Sequence, residues 1–215
     1  MNISAKRVVW TSFFVDLLDI LVNVFVALLT GSIVMVAELF QGVFDLIASG
    51  LLIVGLKRSK KEAYFWTLLS ALVMLILAST LSFYFGLKRF LDPTPVEYIF
   101  LAYGALVISV VSNGYAFWLS AKRILKDRSI KQVFRAFWGS SLYMTKNTFV
   151  LDLMGMSAAF VGLIALVLYQ VFGEVRFDGL GAMGIGTVLA FLSLNLVLDI
   201  WRMGKREVRL EEQEV

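Results

Sequence analysis

The sequence predicts an all-α protein built as a bundle of six membrane-spanning helices, with the N and C termini on the cytoplasmic side. Of its 215 residues 60% are hydrophobic and the mean hydropathy is +0.84, above the roughly 45–50% apolar content of soluble domains. The apolar residues form six runs of about 20 residues or more, the length that crosses a bilayer. The chain has no cysteine and no histidine, which excludes disulfides and every site built on thiolate or imidazole.

Turn residues and basic clusters bound the first three spans. Span 1 is predicted over Val8–Leu29 and ends at the tight turn Thr30-Gly31-Ser32. Span 2 covers Ile33–Leu56 and ends at a cluster of Lys and Arg residues. Span 3 covers Ala63–Leu87 and ends before Asp92-Pro93-Thr94-Pro95, because proline cannot continue a helix.

The last three spans follow the same pattern. Span 4 is predicted over Val96–Ser120, followed by a long basic connection, Ala121–Ser140. Span 5 covers Ser141–Phe172, which is longer than a bilayer requires. Span 6 covers Asp178–Trp201. The spans therefore form one transmembrane domain over residues 1–201, and residues 202–215 are left as a short charged cytoplasmic tail.

The distribution of Lys and Arg predicts the orientation. With both termini in the cytoplasm, all of the 20 basic residues lie inside except Lys88, Arg89 and Arg176, which agrees with the positive-inside rule. The basic connection after span 4 then faces an anionic leaflet, so we expect the lipid bilayer and no nucleic acid as a partner. We expect an integral, multi-pass protein of a cell (inner) membrane.

Five acidic residues fall within or close to the middle of these spans: Asp16, Asp19, Glu38, Asp45 and Asp152. A charge at the bilayer centre costs at least about 2.5–3.5 kcal/mol, so it needs a partner or a function. We place Lys146 at the cytoplasmic end of span 5, which leaves no basic residue in the span interiors to neutralise the acids. Uncompensated acids in a membrane indicate a pathway for cations, with protons as competitors.

Helical spacing puts the polar residues of three spans on one face each. Asp45 lies 12 residues into span 2, about 18 Å at 1.5 Å per residue and therefore near the midplane. Asp152 reaches a similar depth if its helix begins near Ser141, but is about two turns too shallow if the helix begins at Asn147. The three faces carry Asp16, Asp19 and Asn23 in span 1, Glu38, Gln41 and Asp45 in span 2, and Thr148 and Asp152 in span 5.

Other polar residues within the spans have a simpler interpretation, since such side chains often only join neighbouring helices by hydrogen bonds. We expect this role for several of them, and it is also the alternative for Asn23. Asp199 is expected to form a surface ion pair with Arg202. Four glycines are expected to allow close helix packing at the start of span 6, namely Gly179, Gly181, Gly184 and Gly186. The residues given the hydrogen-bonding role are Ser70, Ser79, Ser109, Ser112, Asn113 and Asn195.

Several segments, in this order and spacing, resemble the cation diffusion facilitators, which are six-helix metal–proton antiporters. The resemblance covers nearly the whole chain and is greatest to the branch that includes a mitochondrial zinc transporter. That family usually continues into a cytosolic dimerisation and metal-sensing domain, which we expect to be missing, because the sequence ends 14 residues after Trp201. The segments are Thr30–Ser32, Ala37–Asp45, Gly86–Pro93, Lys146-Asn147 with Leu151-Asp152, Ala158–Gly162, and Asp178-Gly179.

The resemblance implies a metal site of four ligands, two from span 2 and two from span 5. By position these are Gln41, Asp45, Thr148 and Asp152. Both aspartates match the family pattern, whereas Gln41 and Thr148 stand where His or Asp is usual. The extra acids of span 1 could supply the missing charge. We expect their face to turn toward spans 2 and 5, so that at least Asp19 lines the cation path.

A site of this composition offers only oxygen ligands. Carboxylate and carbonyl oxygens suit Mn²⁺ and can serve Fe²⁺, whereas Zn²⁺ favours Cys and His and would be held weakly. Two neighbouring carboxylates also repel each other, so protons compete with the metal. We therefore expect a divalent metal cation transporter of the Zn²⁺, Mn²⁺ or Fe²⁺ class that works by metal/proton antiport, with the metal as substrate and no cofactor.

An alternative is a non-transporting membrane metal-binding or accessory subunit, a degenerate relative that has lost two ligands. The changes at Gln41 and Thr148 favour this alternative, and the retention of Asp45 and Asp152 favours a transporter. We expect no enzymatic activity, because neither His nor Cys is present. We expect a homodimer formed through the membrane helices.

Overall fold

A computed structural model describes residues 4–125, 132, 136–137 and 142–213, without the side chains of residues 60, 61, 143 and 205–213. Within this part the chain is helical, contains no strand, and has six helices long and apolar enough to cross a membrane. The all-α prediction of six spans is confirmed. The helices are α1 (Ala5–Thr30), α2 (Ile33–Gly55), α3 (Lys60–Val73), α4 (Ser79–Leu91), α5 (Ile99–Leu125), α6 (Tyr143–Phe172) and α7 (Arg176–Gln213).

The third span consists of α3 and α4 joined by a π-helical segment, Met74–Ala78. Its first turn begins before the apolar run, because Ser59 caps it: Ser59 Oγ accepts from the backbone N–H of Glu62 and lies 3.1 Å from Glu62 Oε1. Ser59 is thus a side-chain N-cap, which satisfies a backbone donor that the helix itself cannot. The predicted start of span 3 at Ala63 is therefore several residues late.

Two other predicted boundaries differ from the structure for local reasons. α5 begins at Ile99 rather than Val96, because Tyr98 adopts a left-handed conformation with φ 44°. α7 continues past Trp201 to Gln213, so the described part of the predicted tail is helical. Most of the connection Ala121–Ser140 lies outside the described residues. α6 begins at Tyr143, close to the earlier of the two predicted starts.

A buried carboxylate ties the start of α7 to the α1–α2 turn. Asp178 Oδ1 accepts from Ser32 Oγ at 2.6 Å, and its two oxygens accept from the backbone N–H groups of Ile33 and Val34 at 2.8 and 3.1 Å. Arg89 of α4 lies 3.8 Å from the same carboxylate and donates to the carbonyl oxygen of Gly31. The first amides of α2 thus receive their acceptor from another helix, which fixes α1, α2, α4 and α7 together at this end.

Glycines let α4 and α7 approach until their backbones touch. A Cβ at Gly86 would lie 2.6 Å from the backbone nitrogen of Met183, and one at Gly186 would lie 2.6 Å from that of Phe83. Gly179 is equally close to the backbone of Phe90. The predicted packing role of Gly179 and Gly186 is confirmed, and Gly86 is their counterpart on α4.

A buried ion pair joins α6 and α7 at the opposite end of the bundle. Lys146 is 1% exposed, its Nζ lies 2.9 Å from Asp199 Oδ2, and it sits 4.9 Å from the centre of the Phe137 ring. The expected surface pair of Asp199 with Arg202 is wrong, because Asp199 points toward α6 and its side chain is only 13% exposed. Lys146 therefore lies inside the helix bundle.

The α4–α7 contact predicts a position-specific effect of adding one methyl group. Gly186→Ala should lower the free energy of unfolding by about 1–3 kcal/mol, because two rigid backbones would have to separate. Gly104→Ala is the matched control, since its added Cβ would meet nothing within 4 Å. Thermal unfolding of the purified variants in detergent measures both, and equal melting temperatures would contradict the close packing.

The buried ion pair predicts that the charge of Asp199 is needed for stability. Asp199→Asn should destabilise the protein by about 3–5 kcal/mol, because it leaves the Lys146 ammonium buried without a counter-charge. Glu62→Gln removes the partner of Arg58 from a pair whose side chains are about half exposed, and should cost at most about 1 kcal/mol. Comparable losses in the two variants, measured by the same unfolding assay, would show that Lys146 is solvated.

Candidate metal centre

The five acids predicted from the sequence are all buried, with at most 3% of any one exposed. Three of them come from different helices: Asp16 from α1, Asp45 from α2 and Asp152 from α6. Two hydrogen bonds join their helices: Ser12, one turn before Asp16 on α1, donates to Asp152, and Ser49, one turn after Asp45 on α2, donates to Asp16. The charge of Asp152 acts on both Asp16 and Asp45, and that of Asp45 acts on Asp16. The bundle therefore gathers three carboxyl groups away from water.

Gly42 sets the register of α1 against α2. A Cβ at Gly42 would lie only 3.2 Å from Ile20 Cγ1, so the Ile20 side chain lies against the bare backbone there. Asp19 Oδ2 lies beside this contact, at an ordinary van der Waals distance of 4.0 Å from the same position. The two helices are antiparallel neighbours. Three residues from this contact toward the Lys146 end, Asp16 stands opposite Asp45, in agreement with the interaction of their charges.

The opposite direction brings a second polar pair into register. Four residues from the contact toward the α1–α2 turn, Asn23 stands opposite Glu38. The charge of Asp19 acts on Glu38 as well as on Asp45. One face of the α1–α2 hairpin is thus polar along about three helical turns.

Hydroxyl and amide groups donate hydrogen bonds to the central carboxylates. Asp45 Oδ2 accepts from Gln41 Nε2 at 2.7 Å, and Asp16 Oδ2 accepts from Ser49 Oγ at 2.7 Å. Asp152 Oδ1 accepts from Ser12 Oγ of α1 at 2.6 Å, and its Oδ2 lies 3.2 Å from Ser120 Oγ of α5. These hydrogen-bond donors are neutral, so they orient the acids without cancelling their charge.

Sequence reasoning missed the three serines that contact these acids, although a signal was present for two of them. Ser12 precedes Asp16 by four residues and Ser49 follows Asp45 by four, so each extends a polar face already identified. Ser120 stood at the predicted end of a span and carried no such signal. Ser109, to which only a structural role was assigned, donates its hydroxyl to Asp19.

The four predicted ligands differ in the partners that the structure gives them. Gln41 and Asp45 bond to each other, and Asp152 lies within electrostatic range of Asp45. Thr148 is buried, but its hydroxyl donates to the backbone carbonyl of Met144 at 3.0 Å. Among the described residues no group of three or more Asp and Glu side chains is arranged to hold a metal ion. This conformation therefore presents the acids close together but without assembled metal coordination.

The two acids of α1 have different partners. Asp16 accepts from Ser49 of α2, one turn beyond Asp45. Asp19 is held by Ser109 of α5 and by Asn23, whose Nδ2 lies 3.2 Å from Asp19 Oδ2. The polar face of α1 does contact α2 and α6, through Ser49 and Asp152.

The chemistry of this centre is that of oxygen atoms alone, buried among apolar helices. Such an arrangement suits a hard or borderline cation or a proton. A comparison with curated proteins found no match. The family model of the cation efflux transmembrane domain matches residues 9–202, which is most of the chain and all six spans. The chain therefore belongs to the cation efflux, or cation diffusion facilitator, family of membrane cation transporters.

Proposed function

We propose that the chain exports a divalent metal cation from the cytoplasm in exchange for protons, with Asp45 and Asp152 as its principal ligands. The observation that carries this proposal is the approach of Asp16, Asp45 and Asp152 from three helices to one buried region, linked by hydrogen bonds from Ser12 and Ser49. Among the described residues, the hydrogen bonds that these carboxylates accept come from serines and one amide, which are neutral groups. A dication would balance two of these charges.

Free acceptor atoms support Gln41 as a third ligand. Among the described residues, Gln41 Oε1 and Asp45 Oδ1 are buried and have no hydrogen-bond donor. A cation between them would receive a carboxylate and an amide oxygen from adjacent turns of α2. Thr148 donates its hydroxyl proton to the Met144 carbonyl, which leaves the lone pairs of its oxygen free for a fourth ligand position. An oxygen-only set favours Mn²⁺ or Fe²⁺, or Zn²⁺ held weakly enough to be released.

The serines suit the exchange of a metal for protons. A hydroxyl donates to a carboxylate and accepts from a carboxylic acid, so Ser12 and Ser49 can serve Asp152 and Asp16 in both states. All three acids are buried in this conformation, and release to either side therefore requires the helices to move. Rocking of helix pairs around a fixed central site is the general solution among transporters.

The same proposal includes the arrangement of the chain in its membrane. The basic residues support cytoplasmic termini, with residues 1–201 as the transport domain and 202–215 as a cytoplasmic tail of an inner-membrane protein. The functional unit is proposed to be a homodimer formed through the membrane helices. Proton antiport and dimerisation are supported by the family resemblance rather than by a contact.

A non-transporting metal-binding subunit is the second candidate. The lack of assembled coordination among the described acids favours it. Transport by vesicles separates the two candidates, since only the transporter would move metal into the vesicles in exchange for protons that move out.

Transport should depend on the charge of both central aspartates. Asp45→Asn and Asp152→Asn keep the side-chain size and remove the charge that balances the dication, so metal uptake by inside-out vesicles should fall to that of empty vesicles. Asp92→Asn, at an exposed loop position, should transport normally. Normal transport by both central variants would remove them from the site, and a wild-type protein without transport would favour the subunit.

Selectivity should depend on Gln41. Gln41→His adds a nitrogen ligand, which Zn²⁺ prefers and Mn²⁺ does not. The ratio of Zn²⁺ to Mn²⁺ affinity should rise about tenfold, equivalent to about 1.4 kcal/mol. Competition binding to the purified protein measures the ratio, with Gln170→His at an exposed position as the control. An unchanged ratio would mean that residue 41 does not face the metal.

A further inference from the structure

A group of unsatisfied oxygen atoms lies between α1 and α2, away from the central aspartates. Glu38 is fully buried, and among the described residues neither of its carboxylate oxygens has a hydrogen-bond partner. The same holds for Asn23 Oδ1, whose residue is also fully buried. Buried polar atoms are nearly always paired, so three such acceptors need an explanation.

The register of the hairpin puts these acceptors together. Asn23 stands opposite Glu38, one helical turn from the point where Asp19 lies beside Gly42. Asn23 donates its Nδ2 to Asp19 Oδ2 at 3.2 Å, and the charge of Asp19 acts on Glu38. Two carboxyl groups and one amide carbonyl thus share a small region. The hydrogen-bond donors there, the Asn23 amide, the Ser109 hydroxyl and the Asn113 amide, all serve Asp19, and none of them serves Glu38.

We propose that Glu38, Asn23 and Asp19 form a second cation site, which takes the same class of divalent, oxygen-preferring metal as the central site. Carboxylate and amide oxygens are the ligands of Mn²⁺, Mg²⁺ and Ca²⁺, and two carboxylates balance a dication. The Asn23 nitrogen is not a ligand: its hydrogen bond to Asp19 orients the ligand oxygens of both side chains. The choice of metal class rests on the proposed function, whereas the existence of the site rests on the unsatisfied atoms.

The second site lies in line with the first. Glu38 precedes Asp45 by seven residues on α2, a rise of about 10 Å. Asp19 lies between them beside Gly42 and interacts with both. Two cation sites at this separation repel each other when both are filled, so an ion at one promotes release from the other. On a cation path that runs toward the α1–α2 turn, the second site would be the last site. On a path in the opposite direction it would be the first.

Binding of Mn²⁺ to the purified protein in detergent tests the proposal, because Mn²⁺ can be counted by electron paramagnetic resonance. We expect two bound ions per chain in the wild type, with spectral broadening from a neighbour about 10 Å away. Glu38→Gln should leave one ion and remove the broadening. Glu97→Gln, exposed in the loop before α5, should keep both ions.

The outcomes separate this proposal from the proposed function. Equal numbers of bound ions in the wild type and in Glu38→Gln would overturn the second site, even if transport through Asp45 and Asp152 is intact. Loss of one ion in Glu38→Gln with no loss in Asp45→Asn would support the second site and argue against the central one. If Glu38→Gln does not fold, Asn23→Asp provides the test: the added charge should tighten one of the two ions at least tenfold, and unchanged binding overturns the proposal.

Discussion

The contact of Ile20 with the bare backbone at Gly42 determines how the acids of this protein meet. The absence of a side chain at Gly42 lets Ile20 lie directly on α2, with the Asp19 carboxylate beside it. That contact fixes the register of two antiparallel helices, which in turn aligns Asp16 with Asp45 and Asn23 with Glu38. Since side chains three and four residues apart share a helix face, one contact orders a polar face about three turns long.

This alignment affects the ionisation of the acids because all of them are buried. Acids brought together in a dry interior raise one another's cost of ionisation, and neutral hydroxyls reduce that cost without removing the charge. Ser12, Ser49 and Ser109 connect α1, α2, α5 and α6 through these acids. The bundle has a different solution at its two ends, where Arg89 and Lys146 give Asp178 and Asp199 full counter-charges. The acids at the two ends of the bundle are therefore neutralised by basic side chains, whereas the aspartates in the middle accept hydrogen bonds from neutral groups.

Much of the fold could be predicted from the sequence, because hydropathy and turn residues define six spans almost independently of tertiary structure. The boundaries that differed depend on local backbone effects, such as the capping of α3 by Ser59 and the conformation of Tyr98. For the candidate site, helical spacing identified which residues share a face. It could not show which partner each acid of α1 finds, Ser49 for Asp16 and Ser109 for Asp19, nor that Lys146 is buried with Asp199, because both depend on how helices rotate against each other.

The π-helical segment in the third span amounts to one extra residue wound into a single turn. Each residue of an α-helix turns the chain by about 100°, so the segment resets the direction in which everything after it points. Before it, Ser70 accepts from Asn147 of α6, and after it, Gly86 meets the backbone of α7. One span can therefore serve two neighbours whose positions do not share a regular helical repeat. Forcing Met74–Ala78 into a regular α-helix without removing a residue would act as a rotational frameshift, turning the glycine face of α4 away from α7 although no contact residue had been changed; deleting one residue from the segment would instead restore an ordinary turn and keep that face in place.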